Sequence, residues 1–100
     1  MKKILFIFFF GIIACSQKTS KTQVVEVSCG QCKFGLDTQK GCDLAVRIND
    51  TAYFVDGAHI DEFGDAHDIN MGFCNVIRKA EVTGEIVENR FVASELKLID

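Results

Sequence analysis

The 100-residue chain has no proline and no tryptophan, and it carries a single tyrosine and two histidines. Without proline it cannot set a cis-prolyl bond opposite a reactive dithiol. Without tryptophan it lacks the broadest flat side chain on which a sugar ring could rest. It contains no GxSxG, no HExxH and no phosphate-cradling glycine loop, so hydrolysis and phosphoryl transfer are left without their usual residues. The expectation is therefore a protein that is not an enzyme. Long apolar runs are also missing, since the one candidate, "ILFIFFFGIIA" (Ile4–Ala14), has eleven residues against the roughly 20 needed to cross a bilayer.

What that run does have is the layout of an export signal. Lys2 and Lys3 precede it and Cys15 follows it at once, giving a charged start, an apolar middle and a small-residue cleavage site. The stretch "IIAC" resembles the lipobox of bacterial lipoproteins. That resemblance implies cleavage after residue 14, with Cys15 carrying lipid and becoming the new N-terminus. Two or more acyl chains make a stable anchor, whereas one is marginal. Ser16 after the cysteine implies, by the same resemblance, delivery to the outer membrane facing the periplasm, so the expected location is the bacterial cell envelope. Cleavage removes two of the eleven cations and none of the fourteen acids, leaving a net charge of about −5. Such a surface repels phosphate backbones, so the membrane is an expected partner and nucleic acid is not.

Residues 15–23 form a polar tether, of which Ser16–Gln23 have no apolar member and could span about 26–29 Å when extended. The domain is expected over 24–100. "VVEVSC" alternates Val25, Val27 and Cys29 against Glu26 and Ser28, the period of a half-buried strand. "CDLAVRI" alternates Cys42, Leu44, Val46 and Ile48 against Asp43, Ala45, Arg47 and Asn49. Asn49 and Asp50 suit a tight hairpin turn into "TAYFV". Residues 56–72 are acidic and glycine-punctuated, with one helical turn at most, around Ile60–Phe63. "GFCNVIRKA" changes period, placing Phe73, Cys74, Ile77 and Ala80 on one face, which predicts an amphipathic helix over Met71–Lys79 with two cations in its last turn. "AEVTGEIV", with Ala80, Val82, Gly84 and Ile86 inward, then turns at Glu88 and Asn89 into a final strand. The resulting order, strand, hairpin, helix, hairpin, is that of the five-stranded OB-like barrel. The expected fold is thus mainly β, with an open α+β sheet as the alternative.

Across Val24–Ile99 the chain resembles a group of small, uncharacterised bacterial envelope lipoproteins with a four-cysteine, OB-like domain. The stretches that carry the likeness are "CGQC" (Cys29–Cys32), "GCDLAVRI", "YFVDG", "DAHD", "GFCNVIRKAEVTGE" and "RF". The resemblance implies the envelope location and transfers no catalytic residue.

Four cysteines remain after the lipidated one, spaced Cys29-x2-Cys32-x9-Cys42-x31-Cys74. An even number in a short exported chain reads first as disulfides. Two sets of pairings fit, Cys32–Cys42 with Cys29–Cys74, or Cys29–Cys32 with Cys42–Cys74. A Cys42–Cys74 bridge alone would contribute roughly 3–4 kcal/mol in the chain-entropy model. The second reading gathers all four thiolates round zinc or copper(I). The third, a thiol-disulfide oxidoreductase using Cys29 and Cys32, leans on the likeness of "CGQC" to the thioredoxin "CGPC". The following "KFGLDTQKG" lacks the long helix that thioredoxin places there.

The loop "DGAHIDEFGDAHD" offers a further transition-metal set, His59 and His67 with Asp56 and Asp65, because imidazole and carboxylate together suit zinc or copper at an open site. The histidines are eight apart rather than four, and an acidic solvated loop is the plainer reading. Tyr53, Phe54, Phe63, Phe73 and Phe91 are expected to fill the core. The overall expectation is a lipid-anchored binding or accessory module for a protein or small ligand, with a cysteine-stapled core and a transition metal at the His59 and His67 loop as its leading ligand.

Overall fold

Strand β1 (Lys21–Cys29) begins three residues before the expected domain start. Lys21, Thr22 and Gln23 pair with Gly84, Thr83 and Val82 of a later strand, and the Thr22 and Thr83 hydroxyls meet at 2.8 Å. A polar stretch joins a sheet here because the ladder bonds come from the backbone, which every residue supplies. The computed structural model describes residues 21–100. The expected leader (1–14), the expected lipidation residue Cys15 and the expected tether up to Ser20 lie outside the described residues. Among those described, no helix is long and apolar enough to cross a membrane.

After β1 come a four-residue helix, α1 (Gly30–Lys33), then β2 (Leu44–Ile48), β3 (Thr51–Asp56), a 3-10 turn (Ile60–Phe63), β4 (Arg78–Val87) and β5 (Arg90–Leu98). The strands close into a barrel in the order β1-β2-β3-β5-β4. Nine-residue β1 makes closure possible: its second half pairs with β2 while most of its length pairs with β4. The parallel contact of β3 with β5, Val55 opposite Phe91 and Asp56 opposite Val92, seals the remaining seam. This is the expected OB-like barrel, and closure leaves no long free sheet edge.

Both hairpins turn on two residues with positive φ, Asn49 and Asp50 (51° and 70°) and Glu88 and Asn89 (49° and 66°). That pair of angles marks the type I′ turn, whose twist matches the strands it joins. Opposite Thr83 and Gly84, β5 carries one extra residue, since Thr83 faces Glu95 and Gly84 faces Ala93. The unpaired Ser94 donates instead to the Thr83 carbonyl at 3.1 Å. The bulge shifts the inward set of β5 from Phe91 and Ala93 to Leu96 and Leu98. Ile86, expected inward, lies past it and is exposed.

The expected helix over Met71–Lys79 is absent. Gly72 accepts from Asn75 and Val76, at 2.9 and 3.0 Å, which closes one turn and goes no further. The next carbonyls are drawn away to β1: Phe73 accepts from the Cys29 backbone (3.2 Å), and the single proton of the Ser28 hydroxyl is within reach of both the Phe73 and Val76 carbonyls, at 2.6 and 2.7 Å. Ser28, expected on the solvent face, is fully buried under this loop. The helical spacing of Phe73, Cys74 and Ile77 is instead a loop folded over the end of the barrel, and Arg78 already begins β4. The 3-10 turn at Ile60–Phe63 takes the helix's place between the third and fourth strands.

Val27, Val46, Val82 and Phe91 fill the barrel, with Val25, Leu44, Ile60 and Phe73 around them. At about 1.5–3 kcal/mol for each fully buried aliphatic or aromatic side chain, they are the main favourable contribution. Cys29 belongs to this core, and Cys42 and Cys74 pack against it.

Candidate metal centre

The four cysteines arrive from three places in the fold. Cys29 is the last residue of β1 and points inward by strand alternation, as the sequence indicated. Cys32 lies in α1 directly after it, Cys42 stands two residues before β2, and Cys74 sits in the loop that replaces the expected helix. All four sulfurs lie within 4.8 Å of one another. The Cys42 thiol donates to the Cys29 sulfur at 2.7 Å and lies 2.9 Å from the Cys74 sulfur. Cys29 is buried, Cys42 and Cys74 are half-buried and Cys32 is exposed, and all four are free thiols.

Backbone bonds position three of the four cysteines. Cys29 donates its N–H to Phe73, and Cys74 donates its own to Ala66 at 2.9 Å, which ties the loop to the strand end. Cys29 also caps α1, its sulfur accepting from the Cys32 N–H at 3.3 Å. Gly30 is what lets α1 lie so close: a Cβ there would stand 2.7 Å from Phe54 Cε1 and 3.0 Å from Ala45 Cβ. The fold therefore needs glycine at the second position of "CGQC", for reasons of space.

Gln31, between the two cysteines of the motif, holds the loop from α1 to β2 in place. Its carbonyl accepts from Asp43 N–H at 2.8 Å, while its amide donates to the Asp43 carboxylate at 2.8 Å and to the Gln39 carbonyl at 3.2 Å. The Gln39 amide donates to the same carboxylate at 2.9 Å. Arg90 continues the chain of contacts, donating to Gln39 Oε1 at 3.1 Å and gripping Asp56 through two bonds of 2.9 and 3.0 Å. These hydrogen bonds connect the seam between β3 and β5 to the backbone beside Cys42. Sequence reasoning passed over Gln31, Gln39 and Arg90. The available signal was two neutral amides and an aspartate set among three cysteines.

Charge in the cluster is distributed unevenly. Burial raises the Cys29 thiol, but hydrogen bonds from the Cys42 and Cys32 thiols and from the Cys32 and Gln31 backbone outweigh it, so its pKa falls below the ordinary cysteine value. Cys32 is pushed up to about 11, chiefly by its hydrogen bond to Cys29 and then by burial. Cys42 is pushed higher still, by burial first and then by its bonds to Cys29 and Cys74. The neighbouring thiols are turned toward the innermost sulfur and favour negative charge there over the other positions. Hydrogen bonds from Gln39 and Gln31 hold the Asp43 carboxyl below the usual carboxylate range.

The acidic loop is organised differently. Asp56 is engaged by Arg90, His59 Nδ1 accepts from the Asp61 N–H at 3.2 Å, and Asp65 accepts from the His67 N–H at 2.9 Å. Both histidines are exposed. Among the described residues, the set of three or more Cys, His, Asp or Glu side chains whose donor atoms converge is the cysteine quartet. Its four sulfurs match the number and kind of donors that tetrahedral zinc takes in structural sites, and thiolates also suit copper(I).

The chain belongs to a family described as "Family of unknown function (DUF6370)", whose match covers residues 23–99. No curated protein and no solved structure matches it.

Proposed function

Working from that membership, we propose that the chain is a lipid-anchored bacterial envelope protein whose barrel binds one thiophilic metal ion, zinc or copper(I), on Cys29, Cys32, Cys42 and Cys74. The observation that carries the reading is the convergence of four sulfurs from separate parts of the chain within 4.8 Å. Two disulfides would need only two separate close pairs. Here Cys42 approaches both Cys29 and Cys74, so the sulfurs form one cluster. The envelope location rests on the leader Met1–Ala14 and on Cys15 after it. The role proposed is binding rather than catalysis, with a net negative surface that disfavours nucleic acid.

Oxidation of the same thiols is the second reading, supported by the short approaches at Cys42 and by the oxidising character of the envelope. The two separate in one experiment. The full chain, reduced under anaerobic conditions, is titrated with Zn2+ and, in parallel, with Cu+. The expected result is uptake of one ion per chain that is lost on Cys29→Ser. Failure of the reduced protein to take up either ion overturns the metal reading. An isolated protein lighter by about four hydrogens and without metal, as two disulfides would make it, supports the oxidised one.

A further inference from the structure

The four ligands are unequal. Cys29 is part of the hydrophobic core, and Cys42 and Cys74 pack against it, but Cys32 has no place in that cluster and is the one exposed sulfur. The short sulfur contacts, 2.7 Å from Cys42 to Cys29 and 2.9 Å between Cys42 and Cys74, join the other three, while the Cys32 thiol bonds to Cys29 from an exposed position. Cys32 is carried by a four-residue helix at the start of a long connection to β2, outside every strand of the barrel. A purely structural thiolate site encloses its ion with every ligand held. This one has three ligands anchored by the barrel and a fourth facing water.

On the reading of the site proposed above, we propose that Cys32 is an exchangeable ligand and that the ion is cargo, passed between this protein and an external thiol. The step is a ligand substitution. An incoming R–SH forms a new metal–sulfur bond as the metal–Cys32 bond breaks, and the proton of the incoming thiol ends on Cys32. No electron is transferred, and the ion is held by three protein sulfurs throughout. Further thiol ligands then draw the ion away through the same opening. The partner is a soft sulfur donor, either a free small thiol or a cysteine of another protein.

The test uses Co2+ as a spectroscopic probe in the full-length protein under anaerobic conditions, with 2-mercaptoethanol as the external thiol. Wild type is expected to show the intense sulfur-to-cobalt bands of a four-thiolate site. Cys32→Ser should still take up one Co2+, with shifted bands, and added 2-mercaptoethanol should restore the wild-type spectrum. Cys29→Ser should not be rescued in this way. In a second arm, loss of Zn2+ from wild type should accelerate with thiol concentration. Repeating that arm with a peptide bearing a CxxC pair, at equal thiol concentration, distinguishes the sources: faster loss to the peptide assigns a protein donor, and equal or slower loss a free thiol. If Cys32→Ser loses Co2+ as completely as Cys29→Ser, or keeps it but ignores the added thiol, the exchange role is overturned while metal binding by wild type stands. If wild type binds no Co2+ or Zn2+ at all, the metal reading fails and this one with it.

Discussion

Gln31 and Asp43 hold each other through two opposed hydrogen bonds of 2.8 Å, the Gln31 carbonyl accepting from the Asp43 backbone while its amide donates to the Asp43 carboxylate. The pair locks the residue after Cys29–Gly30 to the residue after Cys42. Two of the four sulfurs are therefore brought together by side chains that lie outside the cysteine cluster.

Replacing Gln31 with Ala removes both halves of that clasp. Hydrogen bonds to charged groups contribute roughly 1.5–3 kcal/mol, less where water can take over, so an unfolding free energy lower by about 1–2 kcal/mol is expected from denaturant titration. Metal affinity should fall as well, because the loop carrying Cys42 loses its hold. An unchanged affinity would show that the clasp is incidental to the site.

The same clasp sets a pH dependence. Gln39 and Gln31 lower the folded-state pKa of Asp43, and Arg90 lowers that of Asp56. A carboxyl whose pKa is depressed by folding contributes stability above its unfolded value, and that contribution is lost as pH falls through the folded value. The melting temperature is expected to hold near neutrality and to decline once pH drops below the ordinary carboxylate range. Gln31→Ala should raise the Asp43 midpoint, read by NMR, and leave that of Asp56 in place.

Ser28→Ala tests the loop that delivers Cys74. The buried hydroxyl serves the Phe73 and Val76 carbonyls at 2.6 and 2.7 Å. Phe73 keeps its bond from Cys29 N–H, so the one hydroxyl proton is free to serve Val76, and its removal leaves that carbonyl without it. A loss of about 1–3 kcal/mol is expected, the usual consequence of leaving a buried polar group unpaired, together with faster amide hydrogen exchange at Cys74.

Gly30→Ala should be costlier than its size suggests. The new Cβ would meet Phe54, buried in the wall, and Ala45, fully buried. Overpacking of this kind typically costs about 1–3 kcal/mol, and by pushing α1 outward it should also weaken metal uptake. A melting temperature equal to wild type would mean that α1 has room to shift.

Much of the barrel was legible in the chain itself. The alternation of Val25, Val27 and Cys29 gave β1 and aimed Cys29 inward, Asn49 and Asp50 marked the first hairpin, and Ile60–Phe63 made its single turn. Periodicity misled at Phe73, Cys74 and Ile77, because local spacing cannot register that Ser28, 45 residues away, takes the carbonyls a helix would have used. The start of β1 was missed for a similar reason, since Lys21–Gln23 are held by backbone pairing and show no apolar pattern. The cysteines were visible as a set, but their meeting point depends on how β1, the loop before β2 and the loop before β4 close on one another. In the histidine loop, two of the expected ligands are already engaged, Asp56 by Arg90 and Asp65 by the His67 N–H.

X-ray absorption at the zinc edge, on the reduced full-length protein loaded with one equivalent of Zn2+, tests the central claim most directly. Four sulfur neighbours at about 2.3 Å are expected, falling to three with one lighter neighbour in Cys32→Ser. A first shell of nitrogen and oxygen in the wild-type protein would contradict the account and move the ion away from the cysteines.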